Sequence, residues 1–191
     1  MIPKPMGRFI RGIILILLAL AILGAAISAL FRFEIAYWRY RDVVNRSAGH
    51  YGIPPRLLAS LIWQETHFQP MQRGKAGEIG LMQIMPGSAR EWAQAEGVYP
   101  FCAADLFNPA TNTMAGAWYL GRAMARWKSK PDPTPYALAE YNAGASNAQR
   151  WDRAAKETHI GFVDAITYPA TRHYVMDIMK RRDNFGKPWL Y

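Results

Sequence analysis

Residues 54–68 read PPRLLASLIWQETHF and carry the clearest helical signal in the chain. Two prolines open this segment, and proline is favoured in the first turn of a helix because its missing N–H has no partner there. Four apolar residues fall within about 140° of one another on a helical wheel: Leu57, Leu58, Leu61 and Ile62. Glu65 falls at about 80°, in the middle of that apolar stripe. We predict a helix from Pro54-Pro55 to about Phe68 with one carboxyl group on its buried face.

A carboxyl group in that position has two interpretations. Burial disfavours the charged form and raises the pKa, which would leave Glu65 protonated near neutral pH. A protonated carboxylic acid is what the cleavage of a glycosidic bond requires, because the leaving oxygen must receive a proton. The alternative is structural: Glu65 pairs with a buried arginine, or its side chain reaches solvent at the end of the helix. The periodicity alone leaves both interpretations open.

The N-terminal segment is apolar enough to cross a membrane. Residues 13–31, IILILLALAILGAAISALF, contain no charge and at 1.5 Å per residue just span roughly 30 Å of hydrocarbon. The alternative is a cleaved signal peptide, since Ala26-Ile27-Ser28 is a passable cleavage site. We expect a retained anchor at residues 1–31, because the apolar part of a signal peptide is usually shorter. Basic residues on both sides of the segment leave its orientation open.

The composition describes a globular chain with a basic surface. Hydrophobic residues make up 51% and charged residues 19% of the 191 residues, which argues against disorder. The formal net charge is +9, and it is still +6 without Lys4, Arg8 and Arg11 before the apolar segment. Such a surface suits a polyanion, but no arginine-rich run with interleaved aromatics indicates nucleic acid. The single cysteine, Cys102, excludes an intrachain disulfide and is expected to be a small buried residue.

The rest of the chain also predicts helices. After the anchor we expect a first helix at 34–48, and Ser88 with Glu91 suggests a capping box at the start of another. Residues 69–86 and 128–135 are expected to be loops because of their glycines and prolines. No strand pattern of useful length occurs. The remaining predicted helices span 110–127, 136–142, 146–156 and 170–182.

No metal site or cofactor is expected. The four histidines, at positions 50, 67, 159 and 173, are scattered along the chain. Glu65 and His67 are two residues apart and point to different faces of a helix, so they cannot form the i, i+4 pair of a zinc site. No glycine-rich phosphate loop and no serine elbow of the hydrolase type is present.

Several short motifs occur in a fixed order along residues 36–185. They are LASLIWQETHF (58–68), GLMQIMP (80–86), LFNP (106–109) followed by Asn112, Gly116 and Tyr119-Leu120, AEYNAG (139–144), FVDAI (162–166) and TRHYV (171–175). In this order and spacing the chain resembles the catalytic domain of lytic transglycosylases of the soluble-lytic-transglycosylase (SLT) type, which are relatives of goose-type lysozyme. The resemblance implies a mainly α, lysozyme-like helical domain, here at residues 32–191 and preceded by one transmembrane helix.

The resemblance also implies roles for particular residues. Glu65 matches the single catalytic acid of the family. The residues that match the lining of its glycan cleft are Gln83, Met85, Tyr141, Asn142 and, less closely, Tyr174. The chain departs from the family pattern where Thr66 and Gly74 replace serines, where Glu78 replaces alanine, where Glu140 precedes Tyr-Asn, and where Asp164 stands in place of glutamate.

The implied reaction is cleavage of the MurNAc–GlcNAc bond of peptidoglycan with formation of a 1,6-anhydro end. Glu65 would act first as acid and then as base, and the implied partner is the glycan strand. Two alternatives stay open: a lysozyme-type hydrolase that uses Glu78, Glu140 or Asp164 as a second carboxylate, and a non-catalytic anchored scaffold. The expected location is the bacterial inner membrane with the domain in the periplasm, or the periplasm alone if the segment is cleaved.

Overall fold

The computed structural model describes the backbone of residues 4–187, so residues 1–3 of the expected anchor and 188–191 of the expected domain lie outside the described residues. The prediction of a mainly helical chain is confirmed. The only β-type pairing in the described range is two isolated bridges, Arg73 with Ile79 and Ile79 with Ile84. The helices are α1 (Lys4–Leu30), α2 (Arg32–His50), α3 (Pro55–Thr66), α4 (Pro86–Ala95), α5 (Pro109–Arg126), α6 (Thr134–Ala143), α7 (Ala145–Thr158), α8 (Phe162–Ala165) and α9 (Pro169–Asp183), with a 3₁₀-helix at Ala103–Phe107.

Helix α3 lies at the centre of the domain. It packs against α2 and α9, and it buries more than the predicted stripe, because Ala59 and Ser60 are also fully enclosed. Each fully buried leucine or isoleucine side chain contributes up to roughly 1.5–3 kcal/mol to folding. A second buried helix, α6, packs against α5, α7 and α9. The two helices carry the motifs around Glu65 and Tyr141, so the core itself positions both residues.

Helix α3 ends earlier than predicted, at Thr66 rather than Phe68. His67 and Phe68 have φ values of 52° and 63°, in the left-handed region where a helix cannot continue. The Thr66 hydroxyl donates to the carbonyl of Leu81 at 2.8 Å and so ties the end of α3 to the following loop. Glu65 therefore lies in the last turn of α3, where the helix dipole also disfavours a negative charge.

Two local predictions are wrong. Ser88 does not cap α4, because the helix begins two residues earlier with Pro86 in its first turn and Met85 as the preceding residue. Cys102 is exposed rather than buried, because it stands just outside the 3₁₀-helix, at the end of a surface loop. The predicted helix after Asn108 is correct, and the Asn108 side chain accepts from the backbone N–H of Ala110 at 2.9 Å.

Helix α1 runs into α2 with almost no interruption. Its segment Phe9–Leu30 is long and apolar enough to cross a membrane and is not buried within the protein. The Phe31 N–H donates to Ile27 O at 3.0 Å, and the Ile35 N–H donates to Phe31 O at 2.9 Å. These i to i−4 bonds continue on both sides of the single residue between the two helices. No flexible linker separates the apolar segment from the domain.

Candidate active site

Glu65 and Tyr174 meet although 109 residues separate them in the chain. The Tyr174 hydroxyl on α9 donates to Oε1 of Glu65 at 2.6 Å. Among the described side chains, no lysine, arginine or histidine forms an ion pair with Glu65. The structural alternative of a glutamate neutralised by a buried arginine therefore does not describe this site.

The surroundings of Glu65 favour its protonated form. Burial is the largest cause, and together with the negative charge of Glu78 it raises the pKa of Glu65 to about 7, against the opposing effect of the Tyr174 hydrogen bond. Burial and the nearby Glu65 charge also raise the pKa of Tyr174 and of Tyr141, which keeps both phenols neutral. The site thus holds a carboxylic acid that can give or take a proton near neutral pH.

The loop between α3 and α4 carries Gln83 and Met85 to the same region. Gln83 has a φ of 48°, a conformation rare for a residue with a side chain and often associated with functional sites. Its amide nitrogen donates to the carbonyls of Gln72 and Gly80, at 3.3 and 2.9 Å. Met85 is exposed, with 42% of its surface accessible. Gln83 thus uses its nitrogen to hold the loop, and its Oε1 is the atom left for other contacts.

Tyr141 joins the site to a cavity of about 360 Å³. Its hydroxyl donates to the Met82 carbonyl at 2.9 Å, which fixes the ring between α6 and the loop. Gln83, Met85 and Tyr141 all line this cavity, whereas Glu65 lies beside it and is not part of its lining.

Asn142 is exposed and does not line the cavity; its Oδ1 accepts from the Thr171 hydroxyl at 2.7 Å and so connects α6 to α9. Of the residues predicted besides Glu65, Tyr174 contacts the acid, and Gln83, Met85 and Tyr141 line the cavity. Asn142 follows Tyr141 in the chain and connects α6 to α9 instead.

The three candidates for a second carboxylate differ in their surroundings. Glu140 lies in the cavity wall but is held by Arg126 at 3.0 Å and by the Trp127 indole N–H at 2.8 Å. Asp164 is exposed, and its charge is not among the causes that shift the pKa of Glu65. Only Glu78 acts electrostatically on Glu65.

The far wall of the cavity was not anticipated from the sequence. It is built by Ser88, Glu91, Tyr119, Arg122 and Arg126. Tyr119 donates to Glu91 at 2.8 Å, and Arg122 lies 3.8 Å from the same carboxylate. The spacing of Tyr119, Arg122 and Arg126 puts them on one face of α5, so the helical period was the signal that could have found this polar wall.

Comparison with known proteins agrees with this architecture. The family model described as the transglycosylase SLT domain matches residues 42–161. The chain is 28% identical over 151 residues to the soluble lytic murein transglycosylase of Escherichia coli K12, covering 78% of this chain and 22% of that protein. It is 31% identical over 121 residues to the membrane-bound lytic murein transglycosylase F of Desulfosudis oleivorans, covering 62% and 25%. The chain thus spans about a quarter of the length of these relatives.

Solved structures show the same fold. An inactive mutant of the lytic transglycosylase Slt from Pseudomonas aeruginosa superposes with a TM-score of 0.69 at 28% identity, covering 77% of this chain and 24% of that one. The 70-kDa soluble lytic transglycosylase in complex with bulgecin A gives a TM-score of 0.69 at 26% identity, covering 80% and 25%. These likenesses cover most of the described domain and confirm the resemblance inferred from the motifs.

Proposed function

The chain belongs to the transglycosylase SLT family, and we propose that it cleaves the β-1,4 bond between MurNAc and GlcNAc in peptidoglycan and leaves 1,6-anhydroMurNAc ends. The observation that carries the proposal is the half-buried carboxyl group of Glu65, whose pKa is raised to about 7 and which has no neutralising cation among the described side chains. The SLT domain and relatives named lytic murein transglycosylase support the same substrate.

In the first step Glu65 acts as the acid. Its proton passes to the glycosidic oxygen as the bond from that oxygen to C1 of MurNAc breaks, and the carbonyl oxygen of the sugar's own 2-acetamido group bonds to C1. Because Oε1 of Glu65 accepts a hydrogen bond from Tyr174, Oε2 is the oxygen left to carry the transferable proton. The same tyrosine stabilises the carboxylate that this step creates.

In the second step the Glu65 carboxylate acts as the base. It takes the proton from the C6 hydroxyl, O6 bonds to C1, and the acetamido oxygen leaves, so that Glu65 is protonated again. No water and no metal takes part in this cycle. The C6 hydroxyl is tethered close to C1, and a tethered nucleophile has a high effective concentration.

The cleft residues would bind the strand around this centre. Gln83 Oε1 can accept from a sugar hydroxyl or an acetamido N–H, and Tyr141 and Met85 offer apolar surface to the sugar rings. Asn142 supports them by joining α6 to α9. We assign residues 32–191 to the catalytic domain and residues 1–31 to a single-pass anchor in the inner membrane, with the domain on the periplasmic side. Relatives named membrane-bound lytic murein transglycosylase F and C support a membrane association.

Hydrolysis is the second candidate function, and Glu78 is the observation that favours it. A lysozyme-type enzyme needs a group that activates water, and Glu78 is a carboxylate close enough to Glu65 to raise its pKa. A non-catalytic scaffold is disfavoured, because it predicts a neutralised Glu65 and a closed cleft.

Product analysis separates these functions. We expect muropeptides released from purified sacculi to end in 1,6-anhydroMurNAc, lighter by one water (about 18 mass units) than a reducing end and resistant to borohydride. Glu65→Gln should abolish release, because an amide cannot donate the proton, while the helical circular dichroism spectrum stays unchanged. Reducible, heavier ends would identify a hydrolase. Full release by the folded Glu65→Gln protein would contradict any role of Glu65 as the acid.

A further inference from the structure

The loop between α3 and α4 places a second carboxylate over a residue without a side chain. Glu78 Oε2 accepts from the Ala76 N–H at 3.0 Å, which fixes the carboxylate above the loop. A Cβ built on Gly74 would collide with this oxygen and would lie 2.8 Å from Gln83 Oε1. The two residues therefore form one arrangement, in which the bare backbone at Gly74 makes room for the Glu78 carboxylate.

Three titratable groups among the described residues interact with Glu65. Tyr174 reaches it from α9, Tyr141 interacts with it from α6, and Glu78 acts from the loop. Both tyrosines are neutral, because burial raises the pKa of each well above its usual value. Among the described side chains, no basic residue forms an ion pair with Glu78. The Glu78 charge is thus not cancelled by a partner in the site.

We propose, on the basis of the function inferred above, that Glu78 is a positioning residue whose fixed negative charge keeps the catalytic proton on Glu65. The Ala76 N–H donates to Oε2 of Glu78 and so holds the carboxylate in place in the loop. A neighbouring negative charge disfavours a second one, so Glu65 holds its proton to higher pH. Burial and the Glu78 charge both raise the pKa of Glu65, whereas the hydrogen bond from Tyr174 lowers it.

The first test is a direct titration of Glu65 in the full chain held in detergent micelles. In protein labelled with ¹³C at the glutamate carboxyl carbons, the Glu65 signal is assigned by its absence in Glu65→Gln. Glu78→Gln keeps the shape of the side chain and loses its charge. We expect this substitution to lower the titration midpoint of the Glu65 carboxyl group by roughly half a pH unit or more. Glu157→Gln removes the same charge from an exposed position on α7 and should leave the midpoint unchanged. An unchanged midpoint in Glu78→Gln would overturn the proposal.

The second test uses the space at Gly74. A serine there must displace the Glu78 carboxylate, so Gly74→Ser should lower the midpoint in the same direction as Glu78→Gln. Once Glu78 is alanine, adding Gly74→Ser should change the midpoint no further, because the carboxylate is already gone. If the two substitutions instead lowered the titration midpoint of Glu65 additively, they would act separately. That result would contradict the proposal that Gly74 makes room for the Glu78 carboxylate.

The pH profile of the activity completes the test. The basic limb of kcat/KM should move to lower pH in Glu78→Gln by the same amount as the midpoint, while the products keep their 1,6-anhydro ends. If Glu78→Gln instead removed a hydrolytic product with no movement of the limb, Glu78 would be the base of a hydrolase and the proposal would be wrong. The titration needs no substrate, so it can support the proposal even if the assigned reaction fails.

Discussion

The carboxyl group of Glu65 makes the stability of the fold depend on pH. Its pKa is raised in the folded chain from 4.5 to about 7, so the folded state binds the proton more tightly than the unfolded state. The stabilisation from that bound proton is fully present below the unfolded pKa and is lost as pH rises to about 7. At about 1.36 kcal/mol for each pKa unit, the loss amounts to at most about 3.4 kcal/mol.

Glu65→Gln should therefore be more stable than the wild type at pH 8 and nearly equal to it at pH 4.5. The amide is neutral at every pH, and its oxygen can still accept from Tyr174. Urea unfolding in detergent at both pH values measures the difference, and Glu157→Gln on the exposed face of α7 serves as the matched control. A gain in stability that is the same at both pH values would show that the lost charge is not its cause.

Tyr174 acts on the same proton with the opposite sign. Its hydrogen bond stabilises the carboxylate of Glu65, so Tyr174→Phe should raise the pKa of Glu65 and move the basic limb of kcat/KM to higher pH. The rate should fall by roughly 10- to 100-fold, because a hydrogen bond to a charged group contributes about 1.5–3 kcal/mol. Tyr37→Phe, which removes an exposed hydroxyl bonded to Asn45, is the matched control. A limb that moves to lower pH would contradict this role.

At the scale of elements, Asn112 on α5 holds the loop that carries Gln83 and Met85. The side chain is fully buried, and its Oδ1 accepts from the Met82 N–H at 2.8 Å. Its Nδ2 donates to Ile79 O at 2.7 Å and to Leu106 O at 2.9 Å. One amide thus satisfies three backbone groups that burial would otherwise leave without partners. Gly80 lies so close to this amide that a side chain there would collide with it.

Asn112→Asp should destabilise the fold by roughly 2–4 kcal/mol and lower the activity. An ionised aspartate keeps the acceptor for Met82 but turns an oxygen towards two carbonyl oxygens, in a position without solvent. Thermal unfolding followed by circular dichroism measures the cost. Asn45→Asp makes the same change on an exposed residue of α2 and should alter stability by less than about 0.5 kcal/mol. Equal effects of the two substitutions would show that the three backbone bonds contribute little.

Most of the helices could be predicted because their ends carry local signals. Prolines open α3, α5 and α9, and Asn108 caps α5 as expected. Helix α8 and the 3₁₀-helix were missed because four or five residues are too short to show a period. The cap at Ser88 was wrong because Pro86 starts the helix first, which the pattern of Ser88 and Glu91 does not reveal.

The chemistry of the site could be predicted only in part. The helical period placed Glu65 among buried residues, and the motifs added the tyrosines and Gln83. The bond from Tyr174 to Glu65 depends on the packing of α9 against α3, which no local pattern contains. The fit of Glu78 over Gly74 depends on the course of an irregular loop, so the sequence showed two separate departures where the structure shows one arrangement.

At the scale of the whole molecule, we expect α1 to stay attached and to hold the domain outside the cytoplasmic membrane. Carbonate extraction should leave the full chain in the membrane fraction, since the segment Phe9–Leu30 is apolar and not buried in the protein. Cys102 is exposed and is the single cysteine of the chain, so a maleimide that cannot cross membranes should label it in intact spheroplasts. Cys102→Ala is the control. A soluble protein beginning near Ala29 would show that the segment is a cleaved signal.

The junction between α1 and α2 is a single residue, so the domain follows the apolar helix directly and not through a long flexible tether. Helix α2 has 19 residues and is about 28 Å long, and it is itself packed into the domain. A glycine- and serine-rich linker would let the active site sample a wide range of heights. If α1 is the anchor that we propose, a junction of one residue would hold the active site close to the bilayer. We therefore expect distance from the membrane, in addition to bond chemistry, to limit which glycan strands are cut. Strands that pass close to the bilayer would be within reach, and strands farther out would escape cutting however well they fit the cleft.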